Sequence, residues 1–371
     1  MKQLLVFCLA SLMMACTSDS SLNKGPLVPV QLSCEYLRNP SVVDVAQPRL
    51  SWINQAGKGE RGQKQTAWQV RVASSRKQLD QADLWDSGKQ LSSQSTRVKY
   101  QGTPLKSRQE CWWQVRVWDR DGLVSDWSEA GMWRMGLLDP DDWKADWIGA
   151  PWQGEEALPR PDRPNAVPED FGPPAPMFRK DFRVEKRIER AVAFVTGLGY
   201  FELWLNGEKV GDDVLVPNQT NYGKRPKLKD ALIALPDDFA EYKVMYLAYD
   251  VKDQLDRGMN TIGSIVGNGF YNPAKFWTEG YGTPRFLCQL HITYNDGTET
   301  VIASDASWTA HQSPILMNMV YYGEDYDARL EQEDWCQPDF DDSHWEAAAI
   351  KRSPEGKLVA HTAYPLSLIH I

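Results

Sequence analysis

Carboxylates are the first residues in this sequence whose types and spacing could support chemistry. Glu324, Asp325 and Asp327 lie within four positions of one another, and Arg329 follows two residues later. Closely placed carboxylates can acquire different pKa values and divide the roles of general acid and general base. The same pattern in a surface loop is more typical of an ion-pair network, and we favour that interpretation.

Support for nucleophilic or metal chemistry is weak. The histidines His291, His311 and His344 stand apart from any serine or cysteine motif, so the sequence predicts no catalytic triad. The cysteines beyond position 16 form no C-x-x-C pair, and no histidine lies at zinc-ligand spacing; they are Cys34, Cys111, Cys288 and Cys336. We therefore expect no metal site and no cofactor. A Cys34–Cys111 disulfide and two buried thiols both remain open interpretations.

Aromatic rings beside asparagines are better candidates for a function. A flat ring can stack on the CH-rich face of a pyranose while a nearby amide bonds to its hydroxyl groups. The predicted carbohydrate-binding residues are Trp204, Tyr222, Asn268, Tyr271 and Trp277, and the segment Gly267–Tyr271 is the first place to test. The alternative is that the asparagines stabilise turns and the rings fill a core or a seam between domains.

A β-hairpin is the element that organises these residues. Tyr200–Leu205 alternates apolar and polar side chains, Asn206-Gly207 follows, and the extended pattern resumes at Glu208–Val210. Asn-Gly between two such runs predicts a type I′ turn, because that turn needs a positive φ at both central residues. The segment Gly197-Leu198-Gly199 just before the hairpin predicts a bulge or a close approach of the backbone.

Residues 26–138 predict a β-sandwich. Short period-two runs alternate with clusters of Gly, Asp and Ser, in the pattern of a fibronectin III or immunoglobulin-like domain. The clearest runs are Leu50–Trp52, Ala67–Val72, Arg97–Tyr100 and Trp112–Trp118. Nothing in this domain offers a nucleophile with a base, so we interpret it as a spacer or packing module.

A second, larger sandwich is predicted over residues 177–352, of the jelly-roll or galactose-binding-like type. Extended runs recur through it, Asn295-Asp296-Gly297 predicts another tight hairpin turn, and residues 227–242 interrupt the series with a turn or a short helix. Before it, residues 139–176 combine an initial strand with a proline-rich surface linker, and residues 353–371 form a tail. The predicted fold class of the chain is all-β.

The first fifteen residues predict an export signal. Lys2 supplies a positive charge, a short apolar run follows, and Met13-Met14-Ala15-Cys16 resembles a bacterial lipobox. The apolar run is too short to span a bilayer. We expect cleavage before Cys16, lipidation of its thiol and a tether over residues 16–25, which would hold the protein at a membrane in the periplasm, in the outer membrane or at the cell surface. The alternative is an ordinary secretory signal in which Cys16 is incidental.

Charge and composition exclude one class of partner and are compatible with another. The net charge of −9 argues against a nucleic-acid partner, because binding to phosphates needs a basic surface. The 16 Trp and 14 Tyr residues suit the cores of β-sandwiches and also surfaces that stack on sugar rings. We expect sandwich cores to account for most of these rings.

Short motifs in both predicted domains match those of a known family. In the first domain they include Cys34–Pro40, Pro48–Trp52, Trp85–Gly88 and Trp113–Asp119. In the second they include Gly197–Tyr200, Asn221–Arg225, Gly267–Tyr271 and Tyr322–Arg329. Taken together, over about residues 30 to 365, the chain resembles the amino-terminal, non-catalytic domains of bacterial α-L-rhamnosidases of glycoside hydrolase family 78.

This resemblance implies an exported enzyme that hydrolyses terminal α-L-rhamnosyl bonds in rhamnose-containing glycans, by inversion with two carboxylates. In the family those carboxylates lie in an (α/α)6 barrel, which nothing in this chain resembles. We therefore expect no catalytic residue here and a truncated chain with an artefactual end at Leu366–Ile371. This portion is expected to position the barrel and to contact carbohydrate. The alternative is a stand-alone glycan-binding surface lipoprotein without catalysis.

Overall fold

Strands account for nearly all the regular structure in the computed structural model of this chain. The structure describes residues 25–157, 173–223, 242–272, 280–320, 323–361, 363–364 and 366–367. Within these ranges, helical structure is limited to single turns of 3₁₀ helix, and no helix is long and apolar enough to cross a membrane. The predicted all-β fold is confirmed.

The first sandwich consists of seven antiparallel strands in two sheets. Alternating apolar residues generate these strands, since successive side chains of an extended chain point to opposite faces. The strands are β1 (Leu27–Cys34), β2 (Arg49–Ala56), β3 (Ala67–Ala73), β4 (Trp85–Asp86), β5 (Val98–Lys99), β6 (Glu110–Trp118) and β7 (Gly131–Arg134). One sheet has the order β1-β2-β5 and the other the order β4-β3-β6-β7. This is the predicted immunoglobulin-like arrangement.

Tryptophans fill the core between these two sheets. Trp52, Trp113 and Trp133 are each at most 2% exposed. The indole N–H of Trp52 donates to the side-chain oxygen of Gln65 at 3.0 Å, so this buried polar group is satisfied. These rings are therefore core residues, as we expected for most of the tryptophans.

The second sandwich contains the remaining strands. In chain order they are β8 (Ile148–Gly149), β9 (Pro176–Val184), β10 (Ile188–Leu198), β11 (Phe201–Leu205), β12 (Glu208–Lys209), β13 (Asp213–Val214), β14 (Lys243–Asp250), β15 (Gly258–Val266), β16 (Arg285–Tyr294), β17 (Glu299–Ala303), β18 (Thr309–Gln312), β19 (Ile315–Met319), β20 (Gly323–Tyr326), β21 (Glu346–Ala347), β22 (Ala349–Ile350), β23 (Lys357–Ala360) and β24 (Leu366–Ser367).

Two large sheets form the layers of this sandwich. One has the order β22-β8-β16-β10-β14-β23, with β17 paired to β16, and the other the order β12-β11-β15-β9-β18-β21. Their inner faces bury Phe178, Phe286 and Trp308, and the rings of Phe178 and Phe286 stack with centroids 6.2 Å apart. Strand β8 precedes the linker and pairs with β16, so the chain enters this sheet before the linker begins.

The hairpin β11–β12 forms as the sequence predicts. Leu205 pairs with Glu208, and the two turn residues Asn206 and Gly207 have φ values of 49° and 81°. The Asn206 side chain also accepts the backbone N–H of Thr261 at 2.8 Å, which ties the turn to β15. The Asn-Gly turn thus fixes both the hairpin and its position in the six-stranded sheet.

A third hydrophobic cluster joins the two sandwiches, and we call this contact region the seam. Val42 and Leu137 from the first sandwich pack with Phe194, Tyr246 and other buried residues of the second. The backbone N–H of Leu137 donates to the Tyr246 hydroxyl at 3.0 Å. Buried apolar surface shared by both sandwiches resists their separation.

Charged groups surround this seam. Arg134 of the first sandwich is buried and makes an ion pair of 3.0 Å with Asp250 of the second. Arg108 forms an ion pair with Glu299 and lies 2.8 Å from Nδ1 of His291. A buried arginine without a charged partner would lower the stability of the fold. These ion pairs therefore hold the two sandwiches in a fixed relative position.

Several predictions concern residues outside the described ranges. These are the export signal 1–15, Cys16 and most of the tether, much of the proline-rich linker, the interruption predicted at 227–242, and the last residues of the tail. The four cysteines of the two sandwiches are buried free thiols in the structure, and burial raises their pKa values above the ordinary range for a thiol.

Candidate functional site

A groove on the outer side of the six-stranded sheet is the leading candidate site. It has a volume of about 490 Å³ and lies between strands β11 and β15 and the hairpin β19–β20. Glu202 and Ile265 pair across β11 and β15, so their side chains share the face opposite to that of the buried Leu203. The volume lies within the range typical of small-molecule sites.

Glycine residues permit the close backbone contact at the base of the groove. Gly199 has a φ of 111°, and a Cβ at this position would lie 1.9 Å from the carbonyl oxygen of Gly267. Only glycine fits such an approach. This confirms the close approach predicted for Gly197-Leu198-Gly199, and it places the Gly267–Gly269 turn against the start of β11.

Asn268 is tied to the hairpin β19–β20. Its backbone N–H donates to Oδ1 of Asn318 at 2.6 Å, and its side-chain amide donates to the Asn318 carbonyl oxygen at 3.0 Å. The Asn268 side chain also accepts a hydrogen bond from Asn272 at 3.0 Å. These contacts give Asn268 the turn-stabilising role that we weighed as the alternative to sugar binding.

The lining of the groove combines apolar and acidic side chains. Ile265, Ile315, Met319 and Val320 supply much of the apolar lining. Glu202, Asp213 and Glu324 supply carboxylates, and Asn318 supplies an amide. Such a mixture can contact both the CH groups and the hydroxyl groups of a sugar.

Electrostatics distinguish the three carboxylates. Partial desolvation, followed by the negative charge of Glu202, raises the pKa of Glu324. Glu202 itself is paired with Lys209 at 2.6 Å, and Asp213 accepts a hydrogen bond of 2.7 Å from the hydroxyl of Tyr249. Glu202 and Glu324 therefore act on each other across the groove.

Two of the predicted carbohydrate-binding rings lie in a core. Tyr222 and Tyr271 are 4% and 3% exposed, and their ring centroids are 5.3 Å apart in an edge-to-face arrangement. Tyr281 packs on both, stacking on Tyr271 at 5.7 Å. Burial raises the pKa of Tyr222 well above its usual value. In this arrangement neither Tyr222 nor Tyr271 offers a ring face for stacking, so their sugar-binding role stays a prediction.

Trp204 lies outside the groove lining. Trp204 is half-buried and meets Trp335 edge-to-face at 6.1 Å, on the same face of the sheet as Glu202. Trp277 falls outside the described residues, as does Cys16. The groove thus lies beside the segment Gly267–Tyr271 that we selected, but the side chains that line it differ from those we predicted.

Sequence reasoning missed Glu202 and Asn318 as residues of this groove. Glu202 is the polar member of the alternating run Tyr200–Leu205, so its exposure was predictable. Asn318 gave no signal, because its neighbours across the groove are about 50 residues away in sequence. Glu324 was noted only as part of an acidic cluster, in which Asp327 and Arg329 do form the expected ion pair at 2.5 Å.

A smaller cavity of about 340 Å³ lies at the seam and is a weaker candidate. It is bordered by residues 37–42 of the first sandwich and by Tyr249 and His361 of the second. His361 accepts the backbone N–H of Asn218 at 3.3 Å and donates to the carbonyl oxygen of Ala363 at 2.8 Å. The Tyr249 hydroxyl donates a hydrogen bond to the Asp213 carboxylate. These polar groups already have partners within the protein.

No group of three or more His, Cys, Asp or Glu side chains within the described ranges is arranged to hold a metal ion.

Comparisons with family models match both sandwiches. The model described as "Rha78A-like, N-terminal immunoglobulin domain" matches residues 29–139. The model described as "Alpha-L-rhamnosidase N-terminal domain" matches residues 186–231 and 229–370. Each of the two sandwiches therefore has its own counterpart.

Curated relatives carry one name. A protein of Formosa agariphila named "Alpha-L-rhamnosidase" is 37% identical over 346 residues, which cover 88% of this chain and 34% of that protein. A protein of the same name from Alteromonas sp. (strain LOR) is 34% identical, over 93% of this chain and 35% of its own length. This chain spans about a third of the length of these relatives.

Solved structures agree with this relationship. The structure of an α-L-rhamnosidase from Dictyoglumus thermophilum superimposes with a TM-score of 0.76 at 38% identity, covering 90% of this chain and 35% of that one. The Streptomyces avermitilis α-L-rhamnosidase, crystallised with L-rhamnose, gives a TM-score of 0.77 at 25% identity over 92% of this chain and 46% of that one.

Proposed function

Because this chain belongs to the α-L-rhamnosidase family, we propose that it is the amino-terminal part of an exported α-L-rhamnosidase. The observation that supports this most directly is the extent of the match, since about nine-tenths of the chain aligns with about a third of each of three curated relatives. The proposed reaction is inverting hydrolysis of terminal α-L-rhamnosyl bonds. Its two carboxylates then lie in the part of the relatives that this chain does not span.

The two sandwiches serve this enzyme in two ways. Their shared seam makes them a rigid support that positions the catalytic domain. The groove beside Gly267–Gly269 contacts carbohydrate, because its volume accommodates a small saccharide and its apolar and polar lining residues match CH and hydroxyl groups. The partners are therefore rhamnose-containing glycans.

Activity measurements test where the catalytic residues lie. We expect this chain to leave a chromogenic α-L-rhamnoside intact, and we expect the full-length protein to hydrolyse it at millimolar substrate. Hydrolysis by this chain alone would place the catalytic residues within residues 1–371. Inactivity of the full-length protein on every α-L-rhamnoside would instead refute the proposed activity.

Calorimetric titration tests binding in the groove. We expect the chain to bind a rhamnose-terminated oligosaccharide at millimolar concentration or below, and Val320→Trp, which fills the groove, to weaken binding at least tenfold. Val320 and Val301 are similarly exposed, at 40% and 37%, so Val301→Trp on β17 is a matched control that leaves affinity unchanged. Equal affinity of the Val320→Trp and Val301→Trp variants for the oligosaccharide would exclude the groove as its binding site.

Export and anchoring form a separate part of the proposal. The lipobox-like segment before Cys16 supports cleavage and lipidation at that thiol. Growth with a labelled fatty acid should label the wild-type protein and leave Cys16→Ser unlabelled. A secreted but unlabelled wild-type protein would favour the ordinary secretory signal.

A further inference from the structure

We propose that the groove selects uncharged glycans and discriminates against glycans that carry a carboxylate or a sulfate group. This inference rests on the proposed carbohydrate-binding function of the groove and specifies its substrate class. The charges and the apolar residues that line the groove cause this selection.

The described lining of the groove contains three carboxylates and no cationic side chain. Glu202, Asp213 and Glu324 are the carboxylates. Lys209 is the nearest identified compensating charge, and it is bound to Glu202 at 2.6 Å. An anionic ligand would therefore meet uncompensated negative charge, whereas a recognition site for anions normally presents arginine or lysine.

Glu202 and Glu324 already repel each other across this space. The charge of Glu202 contributes to the raised pKa of Glu324, after the larger contribution from partial desolvation. Glu324 lies on the exposed strand β20, with no ion pair to a cation among the described residues. A negative charge on a ligand in the groove would be repelled by both carboxylates, and salt would screen this repulsion only in part.

The apolar residues of the lining increase the discrimination between neutral and anionic glycans. Ile265, Ile315, Met319 and Val320 cannot replace the water molecules that a carboxylate or a sulfate loses on binding. The CH-rich face of a neutral sugar ring suits this surface. The hydroxyl groups of the same ring can donate to Glu202 and Glu324, and carboxylates are strong hydrogen-bond acceptors.

The test compares two disaccharides with the same linkage, α-L-rhamnosyl-glucose and α-L-rhamnosyl-glucuronic acid, by calorimetric titration at neutral pH and low salt. The neutral disaccharide should bind roughly tenfold more tightly, as expected for two like charges acting across several ångströms of partly hydrated space. Raising the salt concentration should narrow this difference.

Variants identify the residues responsible. The double variant Glu202→Gln with Glu324→Gln should increase affinity for the glucuronate disaccharide about tenfold and change affinity for the neutral one less than threefold. Glu208→Gln with Asp325→Asn is the matched control, because these carboxylates lie on the same two hairpins but outside the groove lining. The control should preserve the wild-type discrimination.

Each outcome bears on the proposal. Equal affinities of the wild-type chain for the two disaccharides would overturn the charge selection while leaving carbohydrate binding intact. Binding that requires Ca²⁺ would overturn it too, because the carboxylates would then be metal ligands. Failure of both disaccharides to bind would refute the proposed binding function, and the inference with it.

Discussion

Gly199 is the residue on which the geometry of the groove depends most. Its backbone has a φ of 111°, and its Cα faces the Gly267 carbonyl oxygen so closely that no side chain fits. The contact connects the start of β11 to the turn that carries Asn268. Two separate costs, backbone strain and steric overlap, therefore oppose any substitution at this position.

We expect Gly199→Ala to lower the free energy of unfolding by roughly 3 kcal/mol or more, from both costs together. Gly258→Ala is the matched control, since Gly258 has a φ of 125° and nothing within 4 Å of an added Cβ. The control should lose only the strain energy, about 1–3 kcal/mol. Urea unfolding measures both, and equal losses would show that the contact with Gly267 does not constrain the fold.

Trp204 illustrates how one ring admits two interpretations. In sequence it lies beside the Asn206-Gly207 turn, which suits sugar binding, and the structure places it against Trp335. Its indole N–H is buried and has no hydrogen-bond partner among the described residues. The ring contact and the burial of the N–H favour a packing role for Trp204.

We expect Trp204→Ala to lower the free energy of unfolding by about 2 kcal/mol or more, because it leaves a void beside Trp335. Trp204→Phe should recover most of this stability. Affinity for a rhamnose-terminated oligosaccharide should stay within a factor of two in both variants. A variant that keeps its stability but loses binding would restore the sugar-binding prediction for Trp204.

At the level of structural elements, the seam contains a buried histidine with a lowered pKa. His291 on β16 is 7% exposed, with Arg108 2.8 Å from Nδ1 and the Gln289 amide nitrogen 2.9 Å from Nε2. Burial first, and then the positive charge of Arg108, lowers the pKa of His291 to about 4, although Glu299 acts in the opposite direction. The folded protein therefore favours the neutral form of this ring.

This histidine gives stability a defined pH dependence. Between pH 6.5 and about 4 the unfolded chain binds a proton at His291 that the folded chain does not bind, so the free energy of unfolding falls as the pH is lowered through this window. The slope from one such group is at most about 1.4 kcal/mol per pH unit. Above pH 6.5 this group contributes no further pH dependence.

Urea unfolding at pH 7.5, 5.5 and 4.5 tests the prediction. His291→Gln should reduce the loss of stability between pH 7.5 and 4.5. His344→Gln, at an exposed histidine of the same sandwich, should leave the wild-type pH profile unchanged. Identical profiles for all three proteins would show that His291 titrates alike in the folded and unfolded states.

For the whole molecule, the seam predicts that the two sandwiches unfold together. Apolar residues of both sandwiches form one cluster, and buried Arg134 connects to Asp250 across the boundary. Separating the sandwiches would expose this cluster and leave Arg134 with only its longer contact to Glu110, at 3.5 Å. Both effects favour a single cooperative transition.

We expect Tyr246→Phe to lower the stability of the whole molecule by about 1–3 kcal/mol, because it leaves the buried N–H of Leu137 without its acceptor. Tryptophan fluorescence and far-ultraviolet circular dichroism should give one coincident transition in the wild type and in the variant. Two separate transitions, of which only one shifts in the variant, would contradict coupling through the seam.

The sequence by itself determined the elements of this molecule. Period-two alternation predicted strands such as β3 and β6, because a side-chain period of two is intrinsic to an extended backbone. Asn206-Gly207 predicted its hairpin turn, because the requirement for a positive φ is local. The family motifs are local as well, since each is a short run of sequence, and together they determined the relationship to α-L-rhamnosidases.

Only the tertiary structure decided which residues share a site. The sequence made Tyr222, Tyr271 and Trp204 equal candidates for carbohydrate binding. The packing of β16 and its neighbours buries the two tyrosines and leaves Trp204 half-exposed. The groove unites Glu202 with Asn318 and Glu324, more than 100 residues away. Burial and proximity of this kind depend on how sheets pack and on where long connections return. No local pattern encodes those long-range contacts, because the same alternating strand can face a core, a seam or solvent.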